Sequence, residues 1–389
     1  MTALGLSRSP ARPGSNSAPV ALLRRLDWLL LAAVGGLVLL GSLLVWSATR
    51  PKLIDAGDDP QSFLKKHLLL LVVGAVVGVV VFLSDYRLLR AYAPVVYIGS
   101  VIGLVAVLSP LGSTINGSHS WIVLPGGFSL QPSEFAKFAL CLGLAVILAE
   151  RRDREAAPEG RDVGLALAVA AIPVVLVMLQ PDLGTTAILG VIVISVLTVA
   201  GTPARWVLAL LAGGVAVIAA AVAVGVLDQY QVNRFAAFAN PDLDPQGAGY
   251  NVNQARIAIG AGGWDGTGLF QGTQTTGRFV PEQQTDFIFT VAGEELGFIG
   301  AGAIILLLSV VVWRTLRIAM GAADLFGALA AVGIGAWFAF QAFENIGMAL
   351  GIMPVTGLPL PFVSYGGSAM LANLMAIGLL QNIHARSQL

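Results

Sequence analysis

Long apolar runs alternate with short polar stretches along almost the whole chain. Each run is near the roughly 20 residues that a helix needs to cross the hydrocarbon of a bilayer. The runs cover about 27–47, 67–84, 91–109, 133–150, 162–180, 183–201, 205–227, 287–313, 322–350 and 367–384. The pattern predicts an all-α polytopic membrane protein with about ten transmembrane helices.

Three of the polar stretches are long enough to carry function. The longest, about 228–286, connects predicted helices 7 and 8, and two shorter ones cover 110–132 and 351–366. Long loops in compact proteins are usually functional or disordered. The longest stretch contains aromatic residues, which predict that it is ordered. They include Tyr250, Trp264, Phe270 and Phe279.

Composition supports the membrane assignment. The chain has 389 residues, of which 56% are hydrophobic and 11% charged, whereas soluble domains carry about 25% charged residues. The net charge is zero, so no nucleic-acid partner is expected. Residues 1–23, rich in Arg, Pro and Ser, predict a disordered tail, and 24–386 are expected to form a single membrane domain.

The basic residues predict how the helices are oriented. With a cytoplasmic N-terminus, 14 basic residues fall on the inner side and 7 on the outer side, while Lys137 lies within a span. This distribution follows the positive-inside rule. It places both termini in the cytoplasm and the three long stretches outside. We call 110–132 the first outer loop, 228–286 the long outer loop and 351–366 the last outer loop.

Two charged residues lie near the start of predicted helix 4. Glu134 and Lys137 are three residues apart, which puts them on one helix face where they can pair. Pro132 and Ser133 before them are typical of a helix start. The two charges could form an interfacial ion pair that orients the helix, or they could mark a functional site, as intramembrane charges usually do.

Two aspartates lie at other helix ends. Asp182 belongs to QPDLGT between predicted helices 5 and 6, where it could cap a tight turn. Asp286 begins predicted helix 8, where it could be the N-cap residue. For each, the alternative to a capping role is a functional one at the outer surface.

More acidic residues lie inside apolar runs. On an ideal continuous helix, Glu294 and Glu295 lie about 12 Å and 13.5 Å from Asp286. Glu294 broadly shares a face with Asp286, about 80° round the axis, and Glu295 points the opposite way. We expect both to be structural or tuning groups that polarise the inner wall of a cavity. Glu344 and Asn345 lie near the outer end of predicted helix 9.

Five motifs follow one another along the chain: WIVLPGGFSLQPSEFAK (121–137), QPDLGT (180–185), RFAAFANPDLDPQGAGYNVNQARIAIGAGGWDGTG (234–268), PEQQTDFIFTVAGEELGFIG (281–300) and ENIGMALGIMPVTGLPLPFVSYGGS (344–368). In this order, and combined with ten predicted helices, they resemble the SEDS family (shape, elongation, division and sporulation). The VTGLPLPFVSYGG form resembles the RodA elongation branch more than the FtsW division branch.

The resemblance implies a peptidoglycan glycosyltransferase that polymerises lipid II, a lipid-pyrophosphate-linked disaccharide-pentapeptide, at the outer face of the bacterial cytoplasmic membrane. It implies a class B penicillin-binding protein as partner. The family's essential aspartate corresponds to Asp286, and its other important acidic and basic residues correspond to Glu134, Lys137 and Asp182. Many members have arginine where this chain has Ser120.

The chemistry suggests further site residues. Asp286 is the expected general base for the acceptor hydroxyl, and cations must neutralise the leaving pyrophosphate. Beside Lys137, the loop candidates are Arg234, Arg256 and Arg278. Trp121 and Ser364, which lie within the motifs, complete the substrate-binding set.

Other readings remain open at this level. A divalent cation, Mg or Mn, is an expectation, with Glu134 or Asp182 nearby, although the sequence contains no evident metal site. The main functional alternatives are a lipid II flippase or another transporter, a scaffold that activates the penicillin-binding protein, and a division enzyme of the FtsW type.

Overall fold

The computed structural model describes residues 25–115, 118–125, 127–152, 158–224, 234, 238 and 247–387. The predicted tail at 1–23 lies outside them. The helices are α1 (Trp28–Ala56), α2 (Ser62–Leu83), α3 (Tyr86–Leu108), α4 (Pro132–Arg152), α5 (Gly160–Met178), α6 (Leu183–Val199), α7 (Ala204–Val224), α8 (Ala248–Ala261), α9 (Thr273–Gly277), α10 (Ile288–Glu295), α11 (Gly297–Met320), α12 (Leu325–Leu350) and α13 (Gly367–Ser387). The strands are β1 (Ser113–Ile115), β2 (Ser118–Leu124) and β3 (Phe128–Leu130).

Helices occupy every predicted span. Among the described residues, seven helices are long and apolar enough to cross a membrane, and two shorter apolar helices cover Leu183–Val199 and Ala204–Ala216. Helix α13 carries several buried amides, including Asn373, Gln381 and Asn382. The predicted all-α polytopic class is confirmed.

One predicted span is not a single helix. The run 287–313 is divided into α10 and α11 at Gly297, whose φ is +65°. Part of the long outer loop crosses the chain here, and the Phe298 N–H donates to the Gly263 carbonyl at 2.9 Å. A Cβ on Gly297 would lie 2.3 Å from the Gly266 nitrogen. The prediction of one continuous helix was wrong because hydropathy does not reveal loop backbone that replaces helical hydrogen bonds.

Two helices form the centre of the bundle. Most residues in the spanning parts of α4 and α12 are buried, whereas fewer than a third are buried in those of α2 and α3. Helix α12 packs against α4, α6 and α11, while α1 packs on α11 and α13 on α2. A helix that is apolar nearly all round is expected to be central. Polar side chains on α4 and α12 are therefore surrounded by protein.

The outer loops contain regular structure. In the first outer loop, β1, β2 and β3 form an antiparallel sheet in that order, with Ile122 opposite Leu130. Helices α8 and α9 lie in the long outer loop, whose predicted order is confirmed over its described residues from 247 onward. The last outer loop leads directly into α13.

Candidate functional site

A cavity of about 240 Å³ lies where the three outer loops meet. Four described carboxylates line it, together with Arg234 and a number of hydroxyl and amide side chains. The lining residues include Ser118, Ser120, Trp121, Gln131, Glu134, Asp182, Thr185, Arg234, Glu282, Thr285, Asp286, Thr356, Gly357, Tyr365 and Ser368. The fold thus brings together motifs that are far apart in sequence.

Asp286 lies in a turn rather than at a helix cap. Its N–H donates to the Glu282 carbonyl at 3.1 Å, and the Phe287 N–H donates to the same carbonyl at 3.3 Å. Because the chain is still in this turn at Asp286, α10 begins only at Ile288 and its N-cap is Phe287. The capping alternative was therefore wrong, and the Asp286 carboxylate lines the cavity.

The surroundings of Asp286 raise its pKa towards neutral pH. Desolvation by burial, with a further contribution from the Glu282 carboxylate, raises the pKa of Asp286 to about 7. The Arg234 charge and a hydrogen bond with Thr285 oppose the increase. A carboxylate with this pKa can take up a proton and release it again near neutral pH.

The last outer loop comes close to this carboxylate. Gly357 has φ +78°, and a Cβ there would lie 3.2 Å from the Asp286 Oδ2. Glycine is favoured at this position because it tolerates positive φ and leaves space for the carboxylate. The two loops therefore form adjoining walls of the cavity.

Asp182 caps a helix and also reaches the cavity. As the N-cap of α6, its Oδ1 accepts from the Thr185 N–H at 2.9 Å. Its Oδ2 accepts from the Thr185 hydroxyl at 2.8 Å and from the Gln131 amide at 3.3 Å. Asp182 therefore caps a helix and also lines the cavity.

Glu134 and Lys137 pair as predicted. The Lys137 Nζ lies 2.8 Å from the Glu134 carboxylate and donates to the Gln341 Oε1 at 2.9 Å. It also lies 4.7 Å from the centre of the Trp337 ring. The Lys137 side chain is 0% exposed. Glu134 lines the cavity, whereas Lys137 lies behind it.

The remaining predicted contacts divide into two groups. Trp121 and Arg234 line the cavity. Arg278 forms an exposed ion pair with Asp55 at 2.8 Å, and the Ser364 hydroxyl accepts from the Leu360 N–H at 2.8 Å. Neither Arg278 nor Ser364 is among the lining residues.

Glu294 and Glu295 hold the long outer loop in place. Glu294 accepts from the Gln274 N–H at 2.7 Å, the Thr275 N–H at 2.8 Å and the Thr275 hydroxyl at 2.7 Å. Glu295 accepts from the Ser47 hydroxyl at 2.6 Å. The structural role is borne out, but neither residue lines the cavity described above, so the expected place on its inner wall was wrong. Asp286 lies in the turn before α10 and not in the helix, so ideal-helix geometry does not relate its position to those of Glu294 and Glu295.

The described acidic residues do not form a cluster of metal-ligand size. Among the residues that the structure describes, no group of three His, Cys, Asp or Glu side chains could hold a metal ion. The Asp182 oxygens already accept three hydrogen bonds. The Mg or Mn ion expected near Glu134 or Asp182 stays a prediction.

Some lining residues were not predicted from the sequence. Gln131 precedes Pro132 in QPSEFAK, Thr285 precedes Asp286, and Tyr365 and Ser368 lie in SYGGS. The available signal was their position inside the motifs. An uncharged side chain in a loop does not stand out in the sequence, because burying it costs much less free energy than burying a charge.

Comparison with known proteins identifies close relatives. The family model described as "Cell cycle protein", for FtsW, RodA and SpoVE, matches residues 27–389. The "Probable peptidoglycan glycosyltransferase FtsW" of Trichlorobacter lovleyi is 39% identical over 360 residues, which cover 92% of this chain and 93% of that protein.

Solved structures show the same architecture. One chain, from "Structural coordination of polymerization and crosslinking by a peptidoglycan synthase complex", matches with a TM-score of 0.78 and 31% identity, over 93% of this chain and 98% of that one. The Rod shape determining protein RodA of Thermus thermophilus matches with a TM-score of 0.67 and 30% identity, over 92% and 96% of the two chains.

Proposed function

Because the chain belongs to the FtsW, RodA and SpoVE family of peptidoglycan glycosyltransferases, we propose that it polymerises lipid II with Asp286 as the general base. The observation that carries the assignment is the single cavity where all three outer loops meet around this carboxylate. A protein that only activated a partner would not need such a cavity.

The reaction joins two lipid-linked sugars. The acceptor hydroxyl attacks the anomeric carbon of the donor, the bond from that carbon to the diphosphate oxygen breaks, and the lipid diphosphate leaves. Asp286 takes the hydroxyl proton as the new bond forms. Because diphosphate leaves without protonation, one base is sufficient and the second carboxylate of a glycosidase is not required.

The other lining residues bind and orient the substrate. Arg234 contributes a positive charge for the leaving diphosphate. Asp182 and Glu134 are held by their own partners, so they present fixed acceptors to sugar hydroxyls. Trp121 offers an aromatic surface at the same cavity. These roles require no step through a metal ion.

The test uses purified protein, its partner and labelled lipid II. Asp286→Asn keeps the side-chain size and removes the basic oxygen, and we expect it to bind lipid II without making polymer. Wild-type polymerisation by this variant contradicts the assignment of the base. Movement of lipid II across liposomes without consumption would instead indicate a flippase.

The cellular role proposed is elongation, in the cytoplasmic membrane of a bacterium, with both termini in the cytoplasm and a class B penicillin-binding protein as partner. The VTGLPLPFVSYGG motif supports the elongation role. The complex to which one structural relative belongs combines polymerisation and crosslinking, which supports such a partner. Depletion is expected to give rounded cells, and long undivided filaments would indicate the division role.

A further inference from the structure

Helix α12 presents three polar side chains to the cavity wall. Gln341, Glu344 and Asn345 are spaced i, i+3 and i+4, which places them on one face of the helix. They are 0%, 2% and 0% exposed, respectively. Buried polar groups that are hydrogen-bonded in a network fix the elements they connect.

Asn345 connects the two walls nearest the proposed base. Its amide nitrogen donates to the Asp286 carbonyl at 2.7 Å and to the Leu358 carbonyl at 2.7 Å. A side-chain amide carries two N–H groups, so one residue can satisfy both acceptors. The long and last outer loops are thereby held together on a rigid helix.

The neighbouring side chains hold the same loop. Gln341 donates to the Pro359 carbonyl at 2.7 Å, and its oxygen accepts from the Lys137 Nζ at 2.9 Å. Glu344 accepts from the Thr356 hydroxyl. Gln341 thus links the last outer loop to the ion pair, and Asn345 links the loop to Asp286.

We propose that Asn345 is a positioning residue for the transfer reaction, holding the Asp286 backbone against the last outer loop so that the carboxylate faces the cavity. This inference rests on the proposed function of Asp286. Asn345 acts only on backbone carbonyls, away from the reacting atoms. Misplacing a reacting group by about 1 Å can cost about 100-fold in rate, so loss of this contact affects turnover more than binding.

Asn345 also governs the environment of the carboxylate. The titratable groups that interact electrostatically with Asp286 are Glu282 on its own turn, Arg234, Asp182 at the start of α6 and Glu344 on α12. If the two walls separate, water reaches the carboxylate and the desolvation that raises its pKa decreases. The acid limb of the pH–rate profile then moves to lower pH.

A buried asparagine at the other end of the bundle provides the control. The Asn382 amide donates to the Phe82 and Ser84 carbonyls, each at 2.8 Å, and the side chain is 0% exposed. Asn382→Ala removes comparable buried hydrogen bonds far from the cavity. A purely structural role for Asn345 predicts the same kinetics for Asn345→Ala and Asn382→Ala.

The experiment measures kcat and KM for lipid II with the full-length protein and its partner, normalised to folded protein. Asn345→Ala is expected to lower kcat by about 100-fold, with KM nearly unchanged and the acid limb below its wild-type position. Asn382→Ala should retain wild-type kcat, KM and pH profile. Wild-type kcat in Asn345→Ala, or an equal loss of kcat in both variants, overturns the inference.

Two further variants keep the test decisive. Asn345→Ser retains one donor and should give an intermediate kcat; if Asn345→Ala does not fold, wild-type kcat in the serine variant overturns the inference. Asp286→Asn is assayed in parallel. If Asp286→Asn polymerises normally, both the base assignment and the positioning role fail. If Asp286→Asn is inactive but Asn345→Ala polymerises normally, only the positioning role is eliminated.

Discussion

Asp286 and Glu294 are eight residues apart in one motif, yet their carboxylates have opposite surroundings. Glu294 is 0% exposed and accepts from two backbone N–H groups and a threonine hydroxyl. Asp286 is half-buried, faces a cavity and has a raised pKa of about 7. A carboxylate saturated by donors stabilises a fold, while one left facing a cavity is available for chemistry.

The largest expected effect tests this contrast directly. Asp286→Asn should reduce polymerisation by about 10²- to 10⁴-fold, as expected for loss of a general base, with an unchanged melting temperature. Glu294→Gln should destabilise the protein by about 2–4 kcal/mol because an amide cannot satisfy the same set of donors. Its activity per folded molecule should remain normal. Polymerisation and thermal unfolding are measured for both variants. If the two variants lose activity and stability to the same extent, Asp286 and Glu294 do not differ in role.

The ion pair on α4 joins a residue that lines the cavity, Glu134, to one that lies behind it, Lys137. Lys137→Met leaves the Glu134 carboxylate buried without its cation, which should cost about 3–5 kcal/mol. The double variant Glu134→Gln/Lys137→Met should recover most of that loss in denaturant unfolding. If the recovered protein still polymerises poorly, Glu134 contacts substrate; normal activity would limit the pair to a structural role.

The pH dependence should follow the charges around Asp286. A general base is active when deprotonated, so activity should rise with pH through about 7, the raised pKa. Glu282→Gln removes a charge that raises the pKa and should move the acid limb to lower pH. Arg234→Gln removes a charge that lowers it and should move the limb to higher pH, each by about one unit or less. If neither substitution moves the acid limb of the pH–rate profile, Asp286 is excluded as the titrating group.

The smallest effect is expected at the exposed ion pair of the long outer loop. Arg278 and Asp55 are 45% and 62% exposed, and such pairs contribute about 0–1 kcal/mol. Arg278→Ala should therefore change the free energy of unfolding by less than about 1 kcal/mol and leave polymerisation normal. A strong loss of polymerisation without unfolding would restore Arg278 to the substrate-binding set.

The local features of the fold were well predicted. Apolar runs gave helices at all ten predicted positions, because the bilayer imposes its thickness on each spanning segment separately. The pairing of Glu134 with Lys137 also followed from spacing alone, since residues three apart share a helix face. Both inferences depend only on neighbours in the chain.

The errors occurred where distant segments meet. Gly297 interrupts a predicted helix because residues 263–266 cross it and supply hydrogen bonds. The turn before α10 excludes Asp286 from the cap position that was one alternative for it. At Gly297, contacts with another part of the chain override the local preference for a continuous helix. Before α10, the turn closed by the Glu282 carbonyl replaces the cap, and Asn345 of α12 donates to the Asp286 carbonyl.

The sequence by itself determined the membrane class, the approximate spans and the motifs that contain Asp286, Asp182 and Glu134. Only the tertiary structure decided that these three line one cavity, that Lys137 lies behind it, and that Glu294 anchors a loop. Hydropathy and spacing record the environment of each segment separately. The role of a buried carboxylate depends on which donors and charges approach it from elsewhere in the chain, because these set its solvation and its hydrogen bonds.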